Sequence, residues 1–307
     1  MPGDDLSERL VDAINASYGV HPGFRAAHAK GLLCAATFTP SAAAAALSRA
    51  PHFSNGDVRT HVRFSNGSGD PGAPDAARDG RGMAVKLYVD GVITDIVALS
   101  LPAFFARTPE DLLAFNEARR ADPETGAPNV ERVTAYLSEH PEAITAVTAA
   151  MTHPIPASYA TLTYHALHAF RFVAPDGTAR FGRYHLVPAA GEHHLDDEAA
   201  AAQSPDYLRD ELAARFARGP AVFRLEVQLA GDSDPTDDPT EMWPDDREVV
   251  VVGRLAITAF ADDREHDGDI LVFDPTRVTD GIEMSNDAIL RARSGAYRVS
   301  VARRASA

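Results

Sequence analysis

Apolar residues recur at helical spacing in several stretches of the chain, and each such stretch predicts a helix. The first follows the capping-box pattern Asp5-Leu-Ser-Glu, and Gly19 ends it. The predicted helical regions are Leu6–Ile14, the alanine-rich run between Ser41 and Pro51, Pro109 to about Met151, and Asn286 to about Val299.

Shorter apolar runs between these helices predict β-strands. The run Val222–Leu229 alternates apolar and polar residues regularly. The pair Asp90-Gly91, between the runs that end at Val89 and begin at Val92, is a tight-turn signal. The predicted strands are Thr60–Phe64, Met83–Val89, Val92–Leu99, Phe170–Val173, Arg180–Val187, Val222–Leu229, Glu248–Thr258 and Ile270–Phe273. About eight strands interrupted by helices predict an α+β fold built on an antiparallel sheet or barrel, with no linker that divides the chain.

Composition narrows the function classes. The 307 residues carry 29 Lys and Arg against 44 Asp and Glu, which gives a formal net charge of −15. Nucleic acids and membrane surfaces favour a basic face, so neither is an expected partner. A single cysteine, Cys34, excludes an internal disulfide framework and multi-cysteine metal sites, and we expect it to be a small buried residue. The first residues do not resemble a signal peptide, so a cytoplasmic protein is expected.

Three motif-like stretches predict surface loops rather than sites. Adjacent histidines, as in His193-His194, point in different directions and rarely share an ion. The acidic run Asp232–Asp238 lacks the glycine and the terminal glutamate of a calcium loop. The glycine-rich stretch Gly67–Gly72 has neither the Lys-Ser/Thr pair nor the following helix of a phosphate-binding loop.

Two other stretches are more informative. Arg293 and Tyr297 are four residues apart, so they share one face of the last predicted helix. A guanidinium group beside a phenol oxygen favours the ionised phenolate, which is one of the few side chains that can be an axial haem ligand. Taken alone, this spacing is more typical of a surface pair, and a single histidine such as His28 is more often structural than catalytic.

Six stretches, in order along the chain, resemble the catalase superfamily and most closely its short catalase-related haem peroxidases. They are Arg25–Gly31, Val62–Ser65, Arg78–Lys86, Pro102–Phe105, Phe273–Ser285 and Arg293–Tyr297. The resemblance implies one catalase-like haem-binding domain over residues 1–307. It also implies a catalase-type barrel of about eight antiparallel strands with peripheral helices, without the C-terminal helical domain of the larger members.

The resemblance also implies roles for single residues. Tyr297 is expected to be the phenolate ligand of haem b iron, and Arg293 to keep it ionised. His28 is expected to act as acid and base toward peroxide on the opposite side, oriented by a hydrogen bond from Ser65. His168 matches a family histidine near the ligand side, where a structural hydrogen-bonding role is equally open.

Five further residues match family positions around the cofactor. Buried carboxylates need charge-assisted partners, so the arginines among them suit the two haem propionates. The resemblance assigns Arg25, Arg63 and Arg304 to the propionates, and Phe64 and Phe104 to packing near the haem.

The implied activity is that of a haem-dependent peroxidase that reduces hydrogen peroxide or organic hydroperoxides with an organic reductant. Leu99 stands where true catalases place an asparagine that faces peroxide, and the neighbouring Ser100 is expected to point elsewhere, so weak catalase activity is expected. Ala27 replaces the usual valine and opens space over the haem. Rearrangement of fatty-acid hydroperoxides and non-catalytic haem binding remain alternatives, and a homodimer is one expected assembly.

Overall fold

A computed structural model describes residues 2–54, 56–122, 129–262, 264–265 and 270–306. Within these ranges the strands are β1 (Gly31–Pro40), β2 (Val58–Asn66), β3 (Arg81–Val89), β4 (Val92–Leu99), β5 (Ile155–Pro156), β6 (Tyr164–His165), β7 (Phe170–Val173), β8 (Ala179–Pro188), β9 (His194–Leu195), β10 (Ala221–Leu229), β11 (Val249–Phe260) and β12 (Ile282–Met284). The α-helices there are α1 (Pro2–Tyr18), α2 (Ala42–Leu47), α3 (Pro51–Ser54), α4 (Pro109–Ala118), α5 (Val130–Glu139), α6 (Ile144–Met151), α7 (Asp197–Ala201), α8 (Tyr207–Phe216) and α9 (Ala288–Ala305).

Eight of the strands form a closed antiparallel barrel, as the sequence predicts. They follow one another in the order β10-β11-β1-β2-β3-β4-β6-β8, and an additional pairing of β8 with β10 closes the ring. Strands β7 and β12 extend the sheet beyond β8. The barrel confirms the predicted fold class, with helices around it.

The alternation of side chains along each strand separates the barrel core from the outer face. In β2, Val62 and Phe64 are fully buried inside the barrel, where the Phe64 ring stacks on Tyr159 with 5.4 Å between centroids. The residues between and after them, Arg63 and Ser65, face the opposite side of the sheet because successive side chains alternate. The outer face of β2 therefore carries the polar groups that the sequence analysis singled out.

Helices α7 and α8 were not predicted, and the predicted helices differ from the observed ones in their bounds. Helix α2 ends at Leu47, and Pro51 begins the separate helix α3. Helix α9 continues to Ala305, beyond the predicted Val299. The predicted region Pro109–Met151 contains α4, α5 and α6, while its residues 123–128 lie outside the described residues.

The strand predictions need correction at Ile270–Phe273 and at β1, and the short strands β5, β6, β9 and β12 were not predicted either. The run Ile270–Phe273 is not a strand, because its backbone bonds to irregular partners: Leu271 N–H donates to the carbonyl of Arg264. Strand β1 was not predicted, since its inward positions include Cys34 and Ala36, whose small side chains weaken the alternation.

The helices at the edge of the barrel bring distant parts of the chain together. Helix α1 packs against both α4 and α9. A Cβ on Gly295 of α9 would lie 2.4 Å from Oγ of Ser7, so the glycine permits this close approach. Among the described residues, no helix has the length and apolar character needed to cross a membrane.

Candidate active site

His28 lies before β1 in a strained backbone conformation. Its φ of 57° falls in the left-handed region, which non-glycine residues rarely adopt. Three backbone contacts fix this conformation: His28 N–H donates to Gly67 O at 3.3 Å, Ala29 N–H donates to Ser68 O at 3.0 Å, and Arg63 Nη2 donates to His28 O at 3.0 Å. Strain that is held by its surroundings is typical of functional positions.

The glycine-rich loop Gly67–Gly72 supports the backbone of His28. The carboxylate of Asp79 accepts hydrogen bonds from the N–H groups of Gly67 and Ser68, both at 2.9 Å. A Cβ on Gly69 would lie 2.1 Å from the carbonyl oxygen of Ala26, so only glycine allows this packing. The loop is thus not a phosphate site but the support of the His28 segment, which its glycine pattern alone did not reveal.

Ser65 contacts the His28 ring as predicted. Ser65 Oγ lies 3.0 Å from His28 Nδ1. Gly82 stands opposite Ser65 in β3, and a Cβ there would lie 2.6 Å from Ser65 Oγ and 2.9 Å from His28 Nδ1. Gly82 therefore leaves the space in which this pair meets, a role that a glycine inside a strand can signal.

The His28 ring is electrically neutral over a wide pH range. Desolvation, together with the charges of Arg63, Arg293 and Arg25, lowers its pKa to about 3. A neutral imidazole can accept a proton, which is what a general base requires.

Leu99 lies in the same row of the sheet as Ser65. Ser65 pairs with Gly82, and Gly82 pairs with Leu99, so the three positions present the same face of adjacent strands. The neighbouring Ser100 points elsewhere, as expected: its Oγ accepts from Arg81 N–H at 2.8 Å and contacts His153 Nε2 at 2.7 Å. This row therefore offers no amide group at the Leu99 position.

Helix α9 places Arg293 against Tyr297. Arg293 Nε donates to the Tyr297 hydroxyl oxygen at 2.9 Å. A guanidinium group is only a donor, so the phenol oxygen must be the acceptor in this bond. The sequence prediction of this contact from the four-residue spacing is confirmed.

A buried histidine and a carboxylate continue this chain of contacts. Arg293 Nη1 lies 2.9 Å from His168 Nε2, and His168 Nδ1 lies 2.6 Å from Asp287 Oδ2. The carboxylate accepts only and the guanidinium donates only, which fixes the proton of His168 on Nδ1. Burial lowers the pKa of His168, in keeping with a neutral ring.

Asp287 was missed in the sequence analysis. Its Oδ1 accepts from Leu290 N–H at 3.0 Å, which caps the start of α9. An Asp directly before an apolar helical pattern is a cap signal, so this residue could have been found.

Three arginines from distant parts of the chain converge on one carboxylate. Arg25, Arg63 and Arg304 all donate to Glu265, with donor–acceptor distances of 2.8, 2.8 and 2.5 Å. A Cβ on Gly31 would lie 2.6 Å from the guanidinium carbon of Arg63, so this glycine makes room for the arginine. The structure thus brings together the three arginines that the sequence singled out.

The two predicted phenylalanines are placed differently. The Phe104 ring lies 6.4 Å from that of His168, beside the Arg293 chain of contacts. Phe64 points into the barrel core, away from Arg63 and Ser65, because it occupies the alternate position of β2. The structure does not bring Phe64 to this site.

Other reactive groups lie elsewhere. Burial raises the pKa of Cys34 to about 12, which agrees with its predicted structural role. Among the described residues, one group of potential metal ligands has closely spaced atoms, Asp111, His140 and Glu142. Asp111 already serves in the capping box of α4, so this group has a structural explanation.

Comparison with known proteins supports a specific family. A sequence model described as Catalase matches residues 22–307. The chain is 46% identical to a catalase-related peroxidase of Mycolicibacterium paratuberculosis, over 98% of this chain and 95% of that protein. It is 33% identical to a catalase-related peroxidase of Synechococcus elongatus, over 97% of this chain and 88% of that protein.

Larger proteins share the fold over part of their length. Catalase-2 of Bacillus subtilis is 30% identical over 89% of this chain, which spans only 42% of that protein. The crystal structure of a fungal catalase superposes with a TM-score of 0.82 at 25% identity, covering 92% of this chain and 59% of that chain.

Proposed function

Because this chain belongs to the catalase family, we propose that it is a haem-dependent peroxidase. Its substrates are hydrogen peroxide or organic hydroperoxides, its electron donor is an organic reductant, and its catalase activity is weak. The observation that carries the proposal is the chain of contacts Tyr297–Arg293–His168–Asp287, in which the phenol oxygen accepts a hydrogen bond from the guanidinium group.

The residues around the site fit haem b. Tyr297 supplies an oxygen, held by a hydrogen bond from Arg293, as the proposed ligand of the haem iron. The arginine cluster consists of Arg25, Arg63 and Arg304. Among the described residues, its three cationic groups surround one carboxylate, that of Glu265, which leaves an excess of positive charge. In addition, Nε of Arg304 is buried and has no hydrogen-bond acceptor among the described residues. A dianionic cofactor suits a cluster with unused donors and excess positive charge.

The remaining chemistry belongs to His28. When bound, haem would supply the iron centre at which the peroxide O–O bond is cleaved. Nδ1 of His28 is hydrogen-bonded to Ser65 Oγ, so we assign proton transfer to the other ring nitrogen, Nε2. The neutral ring would take a proton from one peroxide oxygen, the one nearer to the iron centre, and return it to the other. The second oxygen then leaves as water or as an alcohol.

Leu99 supports peroxidase over catalase activity. The catalase reaction uses a second peroxide as the reductant, and that molecule has to be oriented by hydrogen-bond donors. Leucine has no donor, and Ser100 is engaged by Arg81 N–H and His153. An organic reductant does not depend on these donors.

The ligand assignment is tested by the absorption spectrum of haem-reconstituted protein. We expect a ferric high-spin spectrum with phenolate character for the natural chain and its loss in Tyr297→Phe. Peroxide-dependent dye oxidation should fall more than about tenfold in the same variant. Tyr88→Phe is the matched control, because the Tyr88 hydroxyl contacts His61 on the barrel surface. An unchanged spectrum in Tyr297→Phe would contradict the assignment.

A further inference from the structure

The side chain of Glu265 is held like a ligand in the arginine cluster. Arg25 binds it through two nitrogens, with Nε 2.8 Å from Oε2 and Nη2 2.8 Å from Oε1. Arg63 Nε donates to Oε1, and Arg304 Nη1 donates to Oε2. Both oxygens of one carboxylate are therefore bound by charged donors that come from three separate segments.

The electrostatics of the cluster favour this arrangement. Burial raises the pKa of Glu265, but the charges of Arg63, Arg25 and Arg304 outweigh burial and hold the pKa at about 2. Burial also lowers the pKa of Arg63 and of Arg304 to about 10, which shows that their charges are desolvated. Desolvated cations without a counter-charge are strongly unfavourable, so a carboxylate at this position stabilises the folded chain.

The donors that hold Glu265 are the ones a propionate would require. A haem propionate and a glutamate side chain end in the same carboxylate group. Besides their bonds to Glu265, Arg25 Nη2 donates to the Leu271 carbonyl at 3.0 Å, and Arg63 Nη2 donates to the carbonyls of His28 and Ala29. The carboxylates of Glu265 and of the proposed cofactor would therefore accept hydrogen bonds from the same N–H groups.

We propose that Glu265 is an internal competitor for the propionate site. Its carboxylate occupies the arginine cluster in the haem-free chain and is displaced when haem binds. The inference rests on the proposed haem function. It follows that Glu265 stabilises the haem-free protein and lowers its apparent affinity for haem, because only the fraction of molecules with the cluster vacated can accept a propionate.

The test compares haem binding by the natural chain, Glu265→Gln and Glu283→Gln. Glu283 of β12 is the matched control, since its carboxylate forms an exposed ion pair with Arg171 of the neighbouring strand β7. Haem affinity is measured by absorbance titration, and the thermal midpoint of the haem-free protein is measured without any cofactor. We expect Glu265→Gln to bind haem at least about fivefold more tightly and to have a lower haem-free midpoint, with Glu283→Gln unchanged in both.

Each outcome decides the question. Equal haem binding by Glu265→Gln would show that Glu265 does not compete with the propionates. Weaker binding would show that its carboxylate assists haem binding. Either result would overturn the proposal. If Glu265→Gln does not fold, Glu265→Asp, which withdraws the carboxylate by one methylene, should still bind haem more tightly than the natural chain. If none of the proteins binds haem, the proposed cofactor is wrong, and the competition with it.

Discussion

Asp287 and His168 are joined by a contact of 2.6 Å, while the other oxygen of the same carboxylate caps the helix that carries Tyr297. One side chain therefore fixes both the start of α9 and the tautomer of the histidine that supports Arg293. The position of the phenol oxygen and its hydrogen bonding are set together by this shared carboxylate.

We predict that Asp287→Asn weakens the support of Tyr297 with little loss of helix capping. Asparagine is as good a cap as aspartate, but its amide N–H favours the wrong tautomer of His168, which then directs N–H at the donor Arg293. The phenolate character of the haem-loaded spectrum should decrease. The comparison variant Asp287→Ala should also lose about 1 kcal/mol of unfolding free energy from the cap. Identical spectra for the natural chain and Asp287→Asn would contradict this role.

Gly82→Ala should separate Ser65 from His28. The new methyl group would lie within 3 Å of both partners, so at least one side chain must move. We expect the rate of reaction with peroxide to fall by about 10 to 100-fold, because small displacements of a positioned group have large effects. Gly56→Ala is the control, since a Cβ there meets no atom within 4 Å. Equal rates for the two variants would show that Gly82 does not maintain the pair.

The pH dependence of the peroxide reaction should reflect the low pKa of His28. With a pKa of about 3, the ring stays neutral as the pH falls from about 7 to about 4, and the rate should stay level over this range. Closer to pH 3 the ring takes a proton, can no longer act as a base, and the rate should fall. Stopped-flow measurements on the haem-loaded protein test this, and an acid limb near the ordinary histidine pKa of about 6.5 would contradict it.

The same pKa makes His28 a source of acid sensitivity. In the unfolded chain the ring has an ordinary pKa of about 6.5 and binds a proton first. The free energy of unfolding therefore decreases progressively as the pH falls below about 6.5 toward 3. Measuring the free energy of unfolding at the same pH values as the reaction rates separates the loss of stability from the protonation of the catalytic base.

Leu99→Asn should raise the release of oxygen from hydrogen peroxide. The amide would add a hydrogen-bond donor in the row of Ser65 and Gly82, where a second peroxide can be oriented. Val97→Asn adds the same amide two residues earlier on the same face of β4 and is the control. The measurement is oxygen release per peroxide consumed, and no increase over the control would mean that Leu99 does not limit the catalase reaction.

Local patterns predicted the parts of the site that depend on local structure. The spacing of Arg293 and Tyr297 gave their contact, because a helix brings residues four apart to one face. The alternation in β2 also determines that Phe64 faces away from Arg63 and Ser65, although the family resemblance alone suggested otherwise. Within an element, periodicity is the stronger guide to direction.

The contacts that join distant segments could not be predicted in this way. Glu265 is 240 positions from Arg25 and lies outside the helices and strands, so no spacing relates the two. The strand expected at Ile270–Phe273 failed for a related reason: the backbone N–H of the next residue, Asp274, is bound by the carboxylate of Asp95, and tertiary contacts override the local apolar pattern.

The packing of α1 against α9 has a consequence for biosynthesis. The segment that bears His28 is translated long before the helix that bears Tyr297, and that late helix also bears Arg304, which shares the carboxylate of Glu265 with Arg63. A nascent chain that has not yet begun α9 lacks both Tyr297, the proposed iron ligand, and Arg304 of the arginine cluster. Under the proposed haem function, cofactor loading follows synthesis of α9, and translation products that lack this helix should remain colourless.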